Sequence, residues 1–250
     1  MGFEGLRTAV ITGAGSGIGR ATAREFLAHG WQVVLAGRRE QALQETADGD
    51  ARTLVVPADV TRPGDVERLF RDAADRFGRV DVLFNNAGSF GPSGSVDQIS
   101  LEDWNETIAV NLTGTMLCAA AAVRQMKVQD PPGGRIINNG SLSAIAPRPL
   151  AAAYTATKHA VTGLTKSIDL DGRAYGISCA QIDIGNAATE LLAGITTGGA
   201  LQPDGSRKVE PTFPAEEAAR TVLFMAELPA SANPGSVVLT AAGMPFLGRG

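Results

Sequence analysis

Leu6-Arg7-Thr8-Ala9-Val10-Ile11-Thr12-Gly13-Ala14-Gly15-Ser16-Gly17-Ile18-Gly19 is the stretch on which the reading of this sequence turns. Leu6 to Thr12 is short and mostly apolar, which predicts a buried strand, and Ile18 to His29 has helical spacing that Gly30 stops. The glycines between them let backbone approach an anion, and the helix start offers free N–H groups. Strand, turn and helix therefore make a phosphate cradle. The strict Gly-x-Gly-x-x-Gly spacing is absent; Thr12-Gly13-x-x-x-Gly17-Ile18-Gly19 is a variant of the dinucleotide loop. A flexible linker would not be flanked so directly by apolar strand and helix patterns.

Working outward, strands are expected at Trp31 to Ala36, Thr53 to Pro57, Val80 to Asn85, Gly134 to Asn138, Ile177 to Asp183 and Ser236 to Thr240. Helices are expected at Arg39 to Ala47, Arg62 to Phe77, Leu101 to Val128, from the Tyr154 region to about Tyr175, and at Ala215 to Leu228. Alternation this regular predicts an α/β fold: a single doubly wound domain with a seven-stranded parallel sheet, order 3-2-1-4-5-6-7, and helices on both faces. Ligands of such sheets sit at the carboxyl ends of the strands, which gathers the loops after Thr12, Ala36, Pro57 and Asn85 along one edge. At the tip of the second strand stands Gly37-Arg38-Arg39 in place of a carboxylate. An arginine there accommodates a 2′-phosphate, so the cofactor reading leans to NADP over NAD, although Glu40 could also reach the ribose.

The second informative stretch runs from Ser141 to Lys158. Tyr154 and Lys158 are four residues apart, so on a helix they share a face. A nearby cation favours phenolate, and a phenol lowered from about 10 toward neutrality becomes a usable general acid or base. Asn111, midway along an apolar helical region, must find hydrogen-bond partners if it is buried. Residues 186–213 are polar, glycine-rich and long for a compact domain, and they follow the sixth strand. They are expected to act as a substrate lid, with Leu191, Leu192 and Ile195 offering an apolar face.

Composition narrows the function classes. The chain has 250 residues, 44% hydrophobic and 19% charged, with a net charge of −4. It has no basic block for nucleic acid or an anionic membrane. Its amino terminus lacks a secretory pattern, and no apolar run reaches about 18 residues, so a soluble cytoplasmic protein without a spanning helix is expected. No metal site is expected, since the histidines are His29 and His159 alone. His29 reads as complementing the end of its helix and His159 as a solvated or partner-contact residue. Cys118 and Cys179 read as reduced core thiols, and Ser143 as a turn or substrate-loop residue.

Taken together, Thr12-Gly13-x-x-x-Gly17-Ile18-Gly19, Asp59, Asn85-Asn86-Ala87-Gly88, Asn111, Ser141 and Tyr154-x-x-x-Lys158 resemble the short-chain dehydrogenase/reductase superfamily over nearly the whole chain. The resemblance implies hydride transfer between nicotinamide and a ketone or secondary alcohol. Tyr154 would be the acid/base, and Ser141 would bond the substrate oxygen. Lys158 would bind the nicotinamide ribose and lower the tyrosine pKa, and Asn111 would hold a water. Cofactor contacts would come from Gly13, Ser16, Gly17, Ile18, Gly19, Arg38, Asp59, Val60, Asn86, Ala87, Gly88, Tyr154, Lys158, Gly185 and Thr189.

Departures from the family pattern are Asn138-Asn139-Gly140 before the serine, Ile184-Gly185 in place of Pro-Gly, and the ending Ala241-Ala242-Gly243-Met244-Pro245-Phe246. They point to a subgroup apart from the commonest one. A homotetramer, or a dimer, is expected from the resemblance and from the small-residue helices around Met116 to Val123 and Ala151 to Leu164. The rival reading is a dinucleotide-binding sensor or scaffold without turnover, but such a protein would be expected to have lost Tyr154 or Lys158.

Overall fold

The computed structural model describes residues 6–189 and 198–245. In chain order its elements are β1 (Thr8–Thr12), α1 (Gly17–Ala28), β2 (Gln32–Gly37), α2 (Glu40–Ala47), β3 (Thr53–Pro57), α3 (Pro63–Phe77), β4 (Val82–Asn85), α4 (Leu101–Ile108), α5 (Gly114–Val128), β5 (Gly134–Asn139), α6 (Ala152–Gly172) and β6 (Ile177–Gly185). Then come two-residue strands β7 (Ala187–Ala188), β8 (Ala200–Leu201), β9 (Arg207–Lys208) and β10 (Phe213–Pro214), followed by α7 (Ala215–Glu227) and β11 (Ser236–Thr240). The main sheet has seven parallel strands in the order β3-β2-β1-β4-β5-β6-β11. This is the expected order, with β11 as the expected seventh strand.

Both faces of the sheet are covered, which is why its strands read as continuous apolar runs and not as alternation. Ala9 and Ile11 of β1 pack with Phe26, Leu27, Leu43 and Val222 on the face of α1, α2 and α7. Val10 between them points the other way, into a cluster with Leu69, Phe70, Cys118 and Ala122 from α3 and α5. Cys118 and Cys179 are free and buried, as expected. Register aligns the carboxyl ends: Thr12 pairs with Ala36, Ile11 with Phe84, and Asn85 with Asn138. The loops after β1, β2, β4 and β5 therefore emerge together.

One feature differs from the sequence reading. Leu101–Val128 is helical as expected, in one unbroken run, but its best 18-residue window has a mean hydropathy of 1.4, long and apolar enough to cross a membrane, where the sequence reading expects no such stretch. It packs within the α/β layers, burying Thr115, Cys118, Ala119, Ala122 and Met126, and its polar residues are spread along it, so no uninterrupted apolar run marks it. Its middle, Ala109–Thr113, is a π turn that joins α4 to α5. The segment expected to be a lid is described in part. Residues 190–197, including Leu191, Leu192 and Ile195, lie outside the described residues, but the flank that follows is built into the body. β7 pairs with β10 in parallel, β8 pairs with β9 as a hairpin, and Glu210 is only 3% exposed.

The glycine-rich turn is also a packing device. A Cβ at Gly19 would collide with the Gly13 carbonyl oxygen and lie 2.6 Å from Asn86 Nδ2, whereas one at Gly163, in the middle of α6, would meet nothing. Gly19→Ala is expected to cost about 2 kcal/mol or more through overpacking. Gly163→Ala is expected to gain about 0.5–1 kcal/mol through helix propensity. Paired thermal or urea unfolding measurements check both signs.

Candidate active site

The cleft along the carboxyl edge begins at the turn after β1. Gly13 and Gly17 sit at φ +66 and +50, in the left-handed region, and Ser16 precedes α1 without a side-chain cap bond. The first N–H groups of α1 are thus left to a ligand, and no acidic residue stands in its first turn to repel an anion. A cleft of about 770 Å³ opens here. Its walls include Gly13, Ser16, Gly17, Ile18, Arg38, Asp59, Val60, Asn86, Ala87, Gly88, Tyr154, Lys158 and Thr189. Gly19 is not on the wall; it is the close-packing position behind it. Gly185, also expected at the cofactor, lines a neighbouring cavity, where a Cβ would collide with Leu142. The sequence reading did not single out Gly15, Thr61, Ser89, Thr107 and Asn139, all on the cleft wall, because small and polar loop residues carry no periodic signal.

Arg38 and Arg39 line the far end, exposed and with no hydrogen-bond or ion-pair partner for their side chains among the described residues. Asp59 faces them. Burial pushes its carboxyl up, but the N–H and hydroxyl of Thr61, at 2.9 and 2.7 Å, outweigh that together with the charges of Arg38 and Arg62, so it stays below the usual carboxylate range. A glycine cradle at a helix start, opening into a cleft of this volume, fits a dinucleotide with its phosphates at the cradle.

One line of hydrogen bonds ties the loops together. Thr12 Oγ1 accepts from the N–H groups of Asn86 and Ala87 at 2.9 and 3.0 Å, and Asn86 Nδ2 donates to the Thr12 carbonyl at 2.9 Å. Asn139 Nδ2 donates to Asn86 Oδ1 at 3.0 Å, and the Asn139 carbonyl accepts from Lys158 Nζ at 2.7 Å. Asn111 lies in the π turn and lines neither cavity. It accepts from Ser89 N–H at 2.8 Å, donates to the Ser89 carbonyl at 2.7 Å and reaches Thr157 Oγ1 at 3.3 Å, thereby clamping the loop after β4 to α6.

Tyr154 and Lys158 share a face of α6, with Lys158 Nζ 5.5 Å from the Tyr154 ring centroid. Phe90 packs edge-on against the same ring, with centroids 4.8 Å apart. The expected lowering of the tyrosine is not seen in the protein alone. Loss of hydration pushes the phenol up to about 12; a hydrogen bond with Ser141 draws it down, the Asp183 carboxylate pushes it up, and Arg148 draws it down. Burial also brings Lys158 down to about 8, against the pull of Asp183. Spacing alone predicted the cation's effect, and the missing factor was hydration: Lys158 is buried and Tyr154 half-buried between the two cavities. His29 and His159 each bond a carbonyl of their own helix, at 2.9 Å to Glu25 and to Thr155, and stand apart from this chemistry.

Ser141 starts a short 3₁₀ turn, Leu142–Ala144, where its Oγ accepts from Ser143 N–H at 3.1 Å. Both serines line the second cavity, of about 440 Å³, whose walls also include Phe90, Leu142, Pro149, Ile184, Leu201 and Met244. Tyr154, Gly91 and Pro92 belong to both cavities, so the phenol stands where the two meet. Arg148 on this wall is bound by Glu210 at 2.6 Å and by Asn186 Oδ1 at 2.9 Å. Burial raises Glu210, but its bonds with Arg148 and Asn186 bring it down to about 2. This pairing was not read from the sequence, because 62 residues separate the partners.

Comparison with known proteins agrees with this geometry. The family model for short chain dehydrogenase matches residues 7–198. A 3beta-hydroxysteroid dehydrogenase of Mediterraneibacter gnavus is 37% identical over 188 residues, covering 73% of this chain and 66% of that protein. The crystal structure of a 3-ketoacyl-(acyl-carrier-protein) reductase from Brucella melitensis complexed with NADH superposes with a TM-score of 0.82 at 28% identity, over 94% of this chain and 96% of the other. A variant of actinorhodin polyketide ketoreductase with NADPH gives 0.84 at 25% identity, over 97% and 98%. From the matched residues, the sheet order and the dinucleotide cleft together, the chain belongs to the short-chain dehydrogenase/reductase family and is an NAD(P)-dependent oxidoreductase.

Proposed function

We propose that the protein interconverts a ketone and a secondary alcohol, with Ser141, Tyr154 and Lys158 as its working groups. The observation that carries this reading is the place of Tyr154 where the dinucleotide cleft meets the second cavity. The nicotinamide, when bound, supplies or takes up the hydride. Tyr154 gives a proton to the carbonyl oxygen in one direction and takes it from the hydroxyl in the other. The Ser141 hydroxyl hydrogen-bonds the same oxygen, where charge develops. Lys158 presents its ammonium at the cleft wall toward the ribose and beside the phenol ring. The phenol carries its proton at neutral pH, as donation to a carbonyl oxygen requires. The apolar walls of the second cavity suit a substrate with an apolar body.

NADP is the cofactor this reading favours over NAD, because Arg38 and Arg39 stand just past the tip of β2, where no carboxylate precedes them in the chain, and neither makes an ion pair among the described residues. A homotetramer is part of the same reading. Met116, Leu170, Phe224 and Val238 leave apolar surface on α5, α6, α7 and β11, with exposures of 41%, 64%, 60% and 47%.

In a panel of ketones followed by NADPH absorbance, Tyr154→Phe is expected to lower turnover by about a hundredfold or more and to leave NADPH affinity nearly unchanged. Retention of more than about a tenth of the wild-type rate would remove Tyr154 from its proposed role. Arg38→Ala is expected to raise the KM for NADPH by about tenfold and that for NADH far less; equal changes would show that Arg38 does not read a 2′-phosphate. Light scattering should give about four times the chain mass of 25.8 kDa, and a monodisperse monomer at micromolar concentration would refute the tetramer.

A further inference from the structure

Directly beneath the serine loop lies a carboxylate that the proposed reaction does not use. Asp183, on β6, is 2% exposed. Its Oδ1 accepts from the backbone N–H of Ser141 at 2.8 Å and from Gln181 Nε2 at 2.7 Å, and its Oδ2 accepts from Ser236 Oγ at 3.4 Å. Gln181 Nε2 also donates to Thr162 Oγ1 of α6 at 3.0 Å, so the carboxylate is held from the helix side as well. The chain makes room for it: a Cβ at Gly140 would collide with Asp183 Oδ1 and lie 2.7 Å from Gln181 Nε2. A buried carboxylate costs stability unless it is bonded and paired, so one with a dedicated glycine and three donors calls for an explanation.

Burial raises the Asp183 carboxyl above its ordinary value, and the bonds from Gln181, Ser141 and Ser236 together with the charge of Lys158 oppose that rise. The titratable groups that interact with it are Lys158 and Tyr154, both from α6; β11 contributes only the neutral Ser236. We propose that Asp183 is a positioning residue for the hydride-transfer reaction: its carboxylate anchors the backbone of Ser141 and supplies the negative charge that faces Lys158 and Tyr154. The inference rests on the roles proposed above for Ser141, Tyr154 and Lys158.

The sign of the effect follows from the environment of each group. Burial lowers Lys158 to about 8 while the charge of Asp183 opposes the fall, so the ammonium persists below about 8 and is lost as pH rises through that value. Without the Asp183 charge that loss moves to lower pH. Tyr154 would also fall, but from about 12, so the phenol keeps its proton throughout the neutral range. A binding limb near 8 is therefore assigned to Lys158 and not to Tyr154.

The test measures NADPH affinity by fluorescence titration from neutral to alkaline pH, and turnover of a carbonyl substrate, for the wild type, Asp183→Asn and Asp183→Ala. In the wild type, affinity should be flat below about 8 and weaken above it. In Asp183→Asn the limb should move down by about half a pH unit or more. Asparagine still offers an oxygen to Ser141 N–H, so at the acid end of the range its turnover should exceed that of Asp183→Ala by about tenfold. Superimposable limbs in the wild type and Asp183→Asn would overturn the charge role, and turnover by Asp183→Ala within about twofold of the wild type would overturn the anchoring role. If Asp183→Ala does not fold, the limb of Asp183→Asn still decides. Failure of the hydride-transfer reading would appear separately, as turnover surviving Tyr154→Phe, because the binding limb is read without turnover.

Discussion

A lysine ammonium held almost out of water is the constraint around which this site is arranged. Lys158 is 6% exposed, and its Nζ has the Asn139 carbonyl at 2.7 Å. An isolated charge in that position would be prohibitive, so neighbouring elements must present acceptors and opposite charge. The acceptor comes from the end of β5 and the charge from Asp183 on β6. The side chain of Asn139 then passes the connection to Asn86 after β4, and from there to Thr12 at the end of β1. Three parallel strands thus end on one hydrogen-bonded line and a fourth faces it with a charge, and a shift of any of them would be felt at the ammonium.

The fold was legible because its signals are repetitive. Apolar runs covered on both faces, glycine turns and helical spacing recur along the chain, and each repeat supports the same parallel order. The Tyr154 and Lys158 face was legible for a similar reason, since four residues along a helix fix a direction. What escaped lacks a local signature. The π turn adds a slight widening to a helix whose composition does not change there. β7 to β10 are two residues each, too short for any pattern, and the union of Arg148 with Glu210 is made only by the fold. The state of the Tyr154 phenol escaped too, because spacing reports who is near and not how much water is left.

The departures from the family pattern acquire physical content as a set. Asn138 is fully buried; its Nδ2 donates to Thr165 Oγ1 at 2.9 Å and its Oδ1 accepts from Asn85 at 3.0 Å. Asn139 carries the connection to the lysine, and Gly140 leaves the space that Asp183 and Gln181 fill. Replacing Asn138 would leave buried polar groups without their partner, replacing Asn139 would free the side chain of Asn86, and a methyl group at Gly140 would press into the Asp183 carboxylate. The stretch before the serine is better understood as one half of an interlocking pair with β6 than as three independent substitutions.

The wall of the second cavity has a different character. β8 and β9 form a hairpin, and Glu210 just beyond it is bonded to Arg148 and to Asn186, while the groups at the cavity junction stand on the sheet and α6. The hairpin is therefore a replaceable part. Its length and side chains can be exchanged, by divergence or by grafting, without disturbing proton transfer, provided that the graft returns a carboxylate to the Arg148 socket. In such an architecture substrate range and chemical competence can vary separately, and new specificities should arise more readily in this corner than in any of the strands that carry the reaction.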